Sequence, residues 1–218
     1  MYRLVGVNLI PQEMATDKIA VRPDKGSEKE QLSRDAWLDA AGSAIAEGGF
    51  DDVRVLTLAK QLGVTRGSFY WHFNDHAELI VSFLDRWRDR RLAELDYLRM
   101  SGDDSETELR RILRLALSEP AWNTRQMRVE LAVRDYARRD PYAAKIVAEV
   151  DRGRIEHCTS LLEKIMNDKE RARDLALLVY VATIGGRVVL TGFSEGEVAV
   201  NRIDQMISEI LSAKGKTS

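Results

Sequence analysis

From Ser33 onward the apolar residues recur at spacings of three and four; before Ser33 they do not. Residues 1–32 include "PQEMATDKIAVRPDKGSEKEQ", with two prolines, scattered charges and no sustained apolar period, and so read as a flexible arm. The stretch "SRDAWLDAAGSAIAEGGF" then sets Trp37, Ala41, Ala44 and Ile45 on one helical face. Ser33 is placed to cap that helix and Gly48-Gly49 to stop it. A second, short helix is predicted in "VRVLTLAKQLG", with Val55, Leu58, Ala59 and Leu62 as its stripe and Gly63 in the turn that ends it. Thr65 is expected to cap a third helix starting at Arg66, with Phe69 and Phe73 facing inward. Three such helices, with a turn of about four residues between the second and third, make a helix-turn-helix.

Helices continue to the end of the pattern. "NDHAELIVSFLDRWRDRRLAELDYL" predicts a long connecting helix capped by Asn74 or Asp75, with Leu79, Phe83, Trp87 and either Arg90 or Arg91 in period. Ser105 with Glu108 reads as a capping box before "LRRILRLAL", which Pro120 closes. Asn123 with Gln126 would open "MRVELAVRDYARR", Asp140-Pro141 opens the next helix, and Asn167 with Glu170 the one after. A last helix near Val200 to Ala213 carries Ile203, Ile207 and Ile210. With no strand-like alternation of any strength, the fold class is all-α.

Composition narrows the class. The 218 residues suffice for one large domain or two small ones. Hydrophobic residues at 44% and charged ones at 31% describe a packed chain rather than a disordered one. A single cysteine, Cys158, excludes an intrachain disulfide and suits a reducing cytoplasm. No run of 18 apolar residues occurs, so no membrane partner is expected, and "LVGVNLI" lacks the features of a signal peptide. The net charge of -2 argues against nonspecific coating of nucleic acid but leaves room for a few placed contacts.

The candidate chemistry lies in "VTRGSFYWHF", Val64 to Phe73. The second helix of a helix-turn-helix enters the major groove, and its first residues meet base edges. That end must be slim, polar and rich in donors, as Thr65, Arg66, Gly67 and Ser68 are. Its free backbone N–H groups also suit phosphate. Tyr70 and His72 can hydrogen-bond the DNA backbone or a base edge. Trp71 either packs against the connecting helix or lies along the groove. In the arm, Lys18, Arg22 and Lys25 are nearly cancelled by Glu13, Asp17 and Asp24, so a DNA-touching arm is the weaker reading.

These residues resemble the DNA-binding domain of the tetracycline-repressor (TetR) family. The likeness runs from about Arg34 to Leu84 and rests on Gly49-Phe50, Leu58-Ala59, Gly63-Val64, Gly67-Ser68, Tyr70, His72-Phe73 and Glu78-Leu79 in the family's order and spacing. The resemblance implies a homodimeric transcription regulator, usually a repressor. The arm (1–32) would precede a helix-turn-helix DNA-binding domain (33–78) and an all-helical effector-binding and dimerisation domain (79–218). By position, Thr65, Arg66, Ser68, Tyr70 and His72 match the family's usual DNA contacts. Two positions depart from it. Arg54 replaces the Thr or Ser that caps the second helix; it can still meet phosphate but caps poorly. His76 replaces a Lys, so a phosphate contact there weakens as pH rises through its titration.

Other candidates weigh less. His72 and His76 are four apart, but Asn74-Asp75 interrupts the helix between them, so no metal is expected. Adjacent His157 and Cys158 point about 100° apart on a helix, which disfavours a shared ligand role. No catalytic constellation or cofactor motif appears. "RWRDRR" reads as a solvated face. Phe83, Trp87, Trp122, Met127, Tyr136, Tyr142 and His157 are the expected lining of an effector pocket, although ordinary core packing explains each of them singly. In "LALLVYVATIGGRVVL" the helix is apolar nearly all round, and Leu178, Val181, Gly185 and Val189, with Ile203, Ile207 and Ile210, form the expected dimer face.

The function expected is a cytoplasmic, dimeric repressor that binds double-stranded operator DNA and is released by an apolar or aromatic effector. An activator is not separated from it by sequence. The alternative is a helical ligand-binding or enzymatic domain carrying an incidental helix-turn-helix-like hairpin. Between Glu28 and His76 five basic residues (Lys29, Arg34, Arg54, Lys60, Arg66) stand against eight acidic ones (Glu28, Glu30, Asp35, Asp39, Glu47, Asp51, Asp52, Asp75), a balance of -3. Each missing phosphate contact shallows the salt dependence by about 0.9 in log-log slope. Mobility-shift titrations at rising salt should therefore show modest nonspecific affinity and a shallow slope; a slope as steep as that of strongly basic binders would contradict this.

Overall fold

Ser33 opens the first helix as its spacing predicts: its Oγ accepts from the Ala36 amide at 3.2 Å, and α1 runs Arg34–Gly48. Trp37, Ala41 and Ile45 form its buried face. The helix stops at Gly49, whose φ of 79° favours glycine. A 3-10 turn, Phe50–Asp52, leads to α2, Val55–Gln61, and α3, Arg66–Phe69. Between α2 and α3, Val64 N–H donates to the Ala59 carbonyl (2.9 Å) and Gly63 N–H to that of Lys60 (3.2 Å), with Gly63 at φ 68°. This is a Schellman end, and it makes the helix-turn-helix angle tight. Thr65 occupies the cap position of α3 but makes no side-chain capping bond, contrary to expectation; the Thr65 carbonyl instead accepts from Ser68 N–H.

The computed structural model describes residues 33–100, 104–117, 125–166 and 168–189, with isolated positions Val198, Asn201, Arg202, Gln205, Met206 and Glu209. Beyond α3 its helices are α4 His76–Met100, α5 Ser105–Leu117, α6 Arg125–Tyr136, α7 Pro141–Ile165 and α8 Lys169–Val189. Among the described residues every regular element is helical, and no helix is long and apolar enough to cross a membrane. Asp75 caps α4 through Glu78 N–H (2.8 Å), while Glu78 accepts from the Asn74 backbone (2.8 Å) and side chain (2.7 Å). Asp140 caps α7 through Ala143 N–H (2.7 Å), as read from Asp140-Pro141. The box expected at Ser105 and Glu108 is not formed. Asp104 caps α5, accepting from Glu106 and Thr107 N–H at 3.1 Å each, because its carboxylate stands one residue earlier and reaches both amides. The arm, Pro120, Trp122, Asn123, Asn167, Ile203, Ile207 and Ile210 lie outside the described residues; Asp168 caps α8 through Arg171 N–H.

The described chain divides into two compact units. One holds the residues up to Arg90 together with Arg128–Val147; the other holds those of Arg91–Met127 and those from Ala148 onward. In the first unit, Phe69 meets Trp37 edge-on at 5.4 Å between centroids and stacks on Phe73 at 5.3 Å. Phe50 stacks on Tyr136 at 4.2 Å and meets Phe83 edge-on at 6.1 Å, so α6 and the 3-10 turn pack together. Arg34 lies over the Phe73 ring (4.6 Å) and donates to Ser82 Oγ (2.6 Å), tying α1 to α4. In the second unit α5, α7 and α8 share a core of Leu109, Leu113, Cys158, Leu161, Leu162, Met166, Ala172, Leu175, Ala176 and Val179.

The face read as solvated, "RWRDRR", is largely engaged. Arg86 pairs with Asp39 (2.9 Å) and Asp35 (3.5 Å), Arg88 with Asp85 and Asp89, and Arg91 with Glu94 (2.8 Å); only Arg90 of the four is well exposed. Long basic side chains can reach across a helix surface in this way, with the guanidinium groups on neighbouring carboxylates.

The fold makes a simple stability test. Gly63→Ala puts a side chain into the left-handed region and should cost about 1–2 kcal/mol; Phe69→Ala, which empties a fully buried site, should cost about 3–5 kcal/mol. Urea denaturation checks both, and an unchanged midpoint for either would refute the packing described.

Candidate functional site

Thr65, Arg66 and Gly67 are exposed at the start of α3, Ser68 is half-buried, and Phe69 and Phe73 behind them are sealed in the core. The aromatic side of the segment therefore anchors it, and its polar start projects outward. A Cβ built on Gly67 would meet only Thr65 Oγ1, at an ordinary 3.6 Å. Nothing among the described residues requires glycine there, although glycine in a helix costs about 1 kcal/mol relative to alanine.

Arg66 is held rather than free. Its Nη2 donates to Tyr70 Oη at 3.0 Å, and its guanidinium lies 5.8 Å from the Tyr70 ring centroid. Trp71 is 80% exposed, so it does not pack under the connecting helix. His72 is half-buried, and its Nε2 is enclosed with no hydrogen-bond partner among the described residues. Arg54 makes no capping bond to α2; its Nε donates to the Asp51 carbonyl at 3.3 Å. His76 Nε2–H donates to the Val53 carbonyl at 2.6 Å, which ties the start of α4 to the turn before α2.

The acidity of this segment is partly neutralised. Asp35 and Asp39 pair with Arg86, and Arg90 lies 4.0 Å from Asp39. Glu78 pairs with Arg34 at 3.4 Å; the Asn74 backbone N–H, chiefly, holds its carboxyl below the usual range.

The residues expected in an effector pocket fall in different places. Phe83, Trp87, Tyr136 and Tyr142 belong to the unit that carries α1–α3; Met127 and His157 belong to the other. Tyr136 stacks on Phe50, and Tyr142 Oη donates to Asp85 at 2.7 Å, a bond that raises its pKa. Trp87 is buried, with its Nε1 lacking a partner among the described residues. His157 and Glu108 form a buried pair, 3% and 5% exposed, with Nε2 and Oε1 2.9 Å apart. Burial lowers the His157 pKa, opposed by the Glu108 charge. His157 Nδ1 has no partner among the described residues. Burial pushes the neighbouring Cys158 thiol up to about 12, far from a reactive thiolate. On α8, Leu178 and Val181 are 60% and 58% exposed, and a Cβ built on Gly185 would meet no other atom of the described residues within 4 Å beyond the helix's own backbone. Val189 ends the helix.

Sequence reasoning missed two of these partners. Glu108 reads as a cap, yet it faces a histidine 49 residues away, a pairing no local spacing reveals. Arg86 reads as solvated but serves α1. Among the described residues no group of three or more His, Cys, Asp or Glu could hold a metal.

The short outward-facing helix, its tight turn and the helical remainder define a helix-turn-helix transcription regulator. Residues 38–82 match the family of bacterial regulatory proteins, tetR family, and residues 105–214, about half the chain, match the BetI-type transcriptional repressor C-terminal family. The chain belongs to the TetR family of transcriptional regulators. It is 31% identical over 107 residues to the regulator TtgR of Pseudomonas putida, covering 47% of this chain and about half (49%) of that relative. Among solved structures, a transcriptional regulator from Rhodococcus sp. Rha1 superposes with a TM-score of 0.67 at 23% identity, covering 86% of this chain and all of the other. A regulator from Saccharomonospora viridis, solved in complex with choline, does so with a TM-score of 0.62 at 20% identity, covering 82% and 95%. These structures share the all-helical fold.

The buried His157 predicts a pH effect. Its folded pKa lies below the ordinary 6.5, so its contribution to stability is present above that value and declines as pH falls toward the folded value, where the unfolded chain binds more protons. Denaturation curves between neutral and mildly acidic pH should show this decline, and His157→Phe should reduce it. An identical decline in the variant would refute the assignment.

Proposed function

We propose that the protein is a dimeric, ligand-responsive repressor that binds a near-palindromic operator through α3 and is released by a small apolar or aromatic effector. The observation that carries this reading is the exposed Thr65-Arg66-Gly67 start of α3, mounted on the buried Phe69 and Phe73. Arg66, oriented by Tyr70, is suited to a guanine edge. Gly67, without an internal role, suits close approach of the groove, and Thr65, Ser68, Tyr70, Trp71 and His72 complete the reading head. Arg54 and His76 face phosphate on this reading. The work divides among an arm (1–32), a DNA-binding domain (33–78) and an effector and dimerisation domain (79–218).

Repression is supported by the match to the repressor C-terminal family. A small-molecule effector is supported by the choline complex of the S. viridis regulator. Dimerisation is supported by the exposed Leu178 and Val181 and by Gly185, where an added Cβ would meet no side chain among the described residues; together these suit a second copy of α8. Two heads would then meet half-sites about one helical turn apart. An effector that prefers a mismatched head spacing by about 1–3 kcal/mol lowers operator affinity roughly 5–150-fold. Relatives named as transcriptional regulators favour this role over catalysis, and it requires no cofactor and a cytoplasmic location.

Mobility shifts on the DNA upstream of its own gene test the reading. The wild-type chain should shift it, and Arg66→Ala should not. Gly67→Ala should weaken binding while raising stability by about 0.4–1 kcal/mol. Analytical ultracentrifugation at micromolar concentration should give a dimer for the wild type and for Arg66→Ala. Unchanged binding by Arg66→Ala, or a stable wild-type monomer, would overturn the corresponding part.

A further inference from the structure

In the unit that carries α3, arginines mostly serve the protein's own carboxylates: Arg34 pairs with Glu78, Arg86 with Asp35 and Asp39, and Arg88 with Asp85 and Asp89. Arg66 differs. Among the described residues it makes no ion pair, and its side chain donates instead to a neutral hydroxyl, from Nη2 to Tyr70 Oη at 3.0 Å. Tyr70 is itself fixed in place. Its ring stands edge-on to the buried Phe69, with centroids 5.3 Å apart, and its N–H donates to the Gly67 carbonyl at 3.2 Å. Residues four apart share one face of a helix, so the hydroxyl steadies the guanidinium from the side. A guanidinium has five donors in one plane, two of them on Nη2. Tyr70 takes one of those two. The other remains beside the hydrogens of Nη1, which leaves a fork of two parallel donors.

We infer that Tyr70 is a positioning residue that sets a base preference without touching a base: by holding Nη2 it aims the Arg66 fork at a guanine in each operator half-site. A fork made only of donors needs two acceptors side by side. In the major groove guanine presents them as O6 and N7, whereas adenine presents one acceptor and one donor. An unheld arginine loses that discrimination, because a mobile guanidinium also finds phosphate oxygens. Tyr70 thus acts through Arg66, which differs from a tyrosine that only meets the DNA backbone: loss of a phosphate contact weakens every sequence alike, and loss of the aim relaxes one position. The inference rests on the proposed binding of operator DNA by α3, and its test separates the two.

The experiment is selection of bound duplexes from a random-sequence library by the full chain, followed by sequencing. The wild type should enrich a motif with one guanine per half-site favoured about ten-fold or more. Arg66→Lys, which keeps the charge and loses the fork, should abolish that preference and keep the rest of the motif. Tyr70→Phe, which keeps the half-exposed ring and removes only the hydroxyl, should reduce the preference at the same position about two- to ten-fold, the range a single hydrogen bond carries. In the double variant Tyr70→Phe should add nothing there. A guanine preference that survives Tyr70→Phe, a loss spread evenly over the motif, or a further loss at that position in the double variant would each overturn the inference. So would a motif that Arg66→Lys leaves unchanged, with the operator reading still standing. A wild type that enriches no sequence overturns the operator reading and the inference with it. Should Tyr70→Phe fail to fold, the wild type is titrated with its selected site carrying 7-deazaguanine at that position: affinity should fall by a similar factor, and unchanged affinity overturns the aim at guanine.

Discussion

A helix of four residues has no stability of its own, because the first turn orders several residues for a single hydrogen bond. Everything α3 does depends on its two aromatic anchors. Phe69 and Phe73 are buried almost completely against Trp37 and each other, and Arg34 covers the outer ring. That burial lets the other side of the segment remain slim and polar. The Schellman turn at Gly63 sets the angle at which the helix leaves α2. The same residues thus serve stability and presentation, with stability on the rings and presentation at Thr65 to Gly67.

The acidic balance of the first helices is compatible with a nucleic-acid role because arginines are directed onto the carboxylates. Arg86 of α4 binds both Asp35 and Asp39, and Arg34 binds Glu78. These pairs are partly exposed and contribute little to stability individually. Their effect is on the field, since paired carboxylates repel an approaching phosphate less than free ones do. They also tie α1 to α4, and the stack of Phe50 on Tyr136 attaches α6 and the start of α7 to the same unit. The element that presents α3 is therefore larger than a three-helix head.

Two kinds of unfinished feature stand out. Gly67 and Gly185 are helical glycines that no crowding among the described residues requires. His157 Nδ1 is a buried polar atom left without a partner among the described residues. Each makes the isolated chain slightly less stable than it need be. Local costs with no internal compensation are expected where a protein meets something else.

The sequence by itself determined the helices among the described residues, the tight turn at Gly63, the inward pair Phe69 and Phe73, and the outward Thr65-Arg66-Gly67. All of these follow from periodicity and turn chemistry within about ten residues of chain, where backbone preference and amphipathic spacing decide. Local reasoning failed where a side chain had two possible partners. Glu108 fits a capping box, but Asp104 takes the cap and leaves the carboxylate to His157. Arg86 fits a solvated stripe, but α1 packs close enough to engage it. Only tertiary structure could choose, because partners far apart in the chain become neighbours through helix packing, and one-dimensional spacing carries no record of that distance.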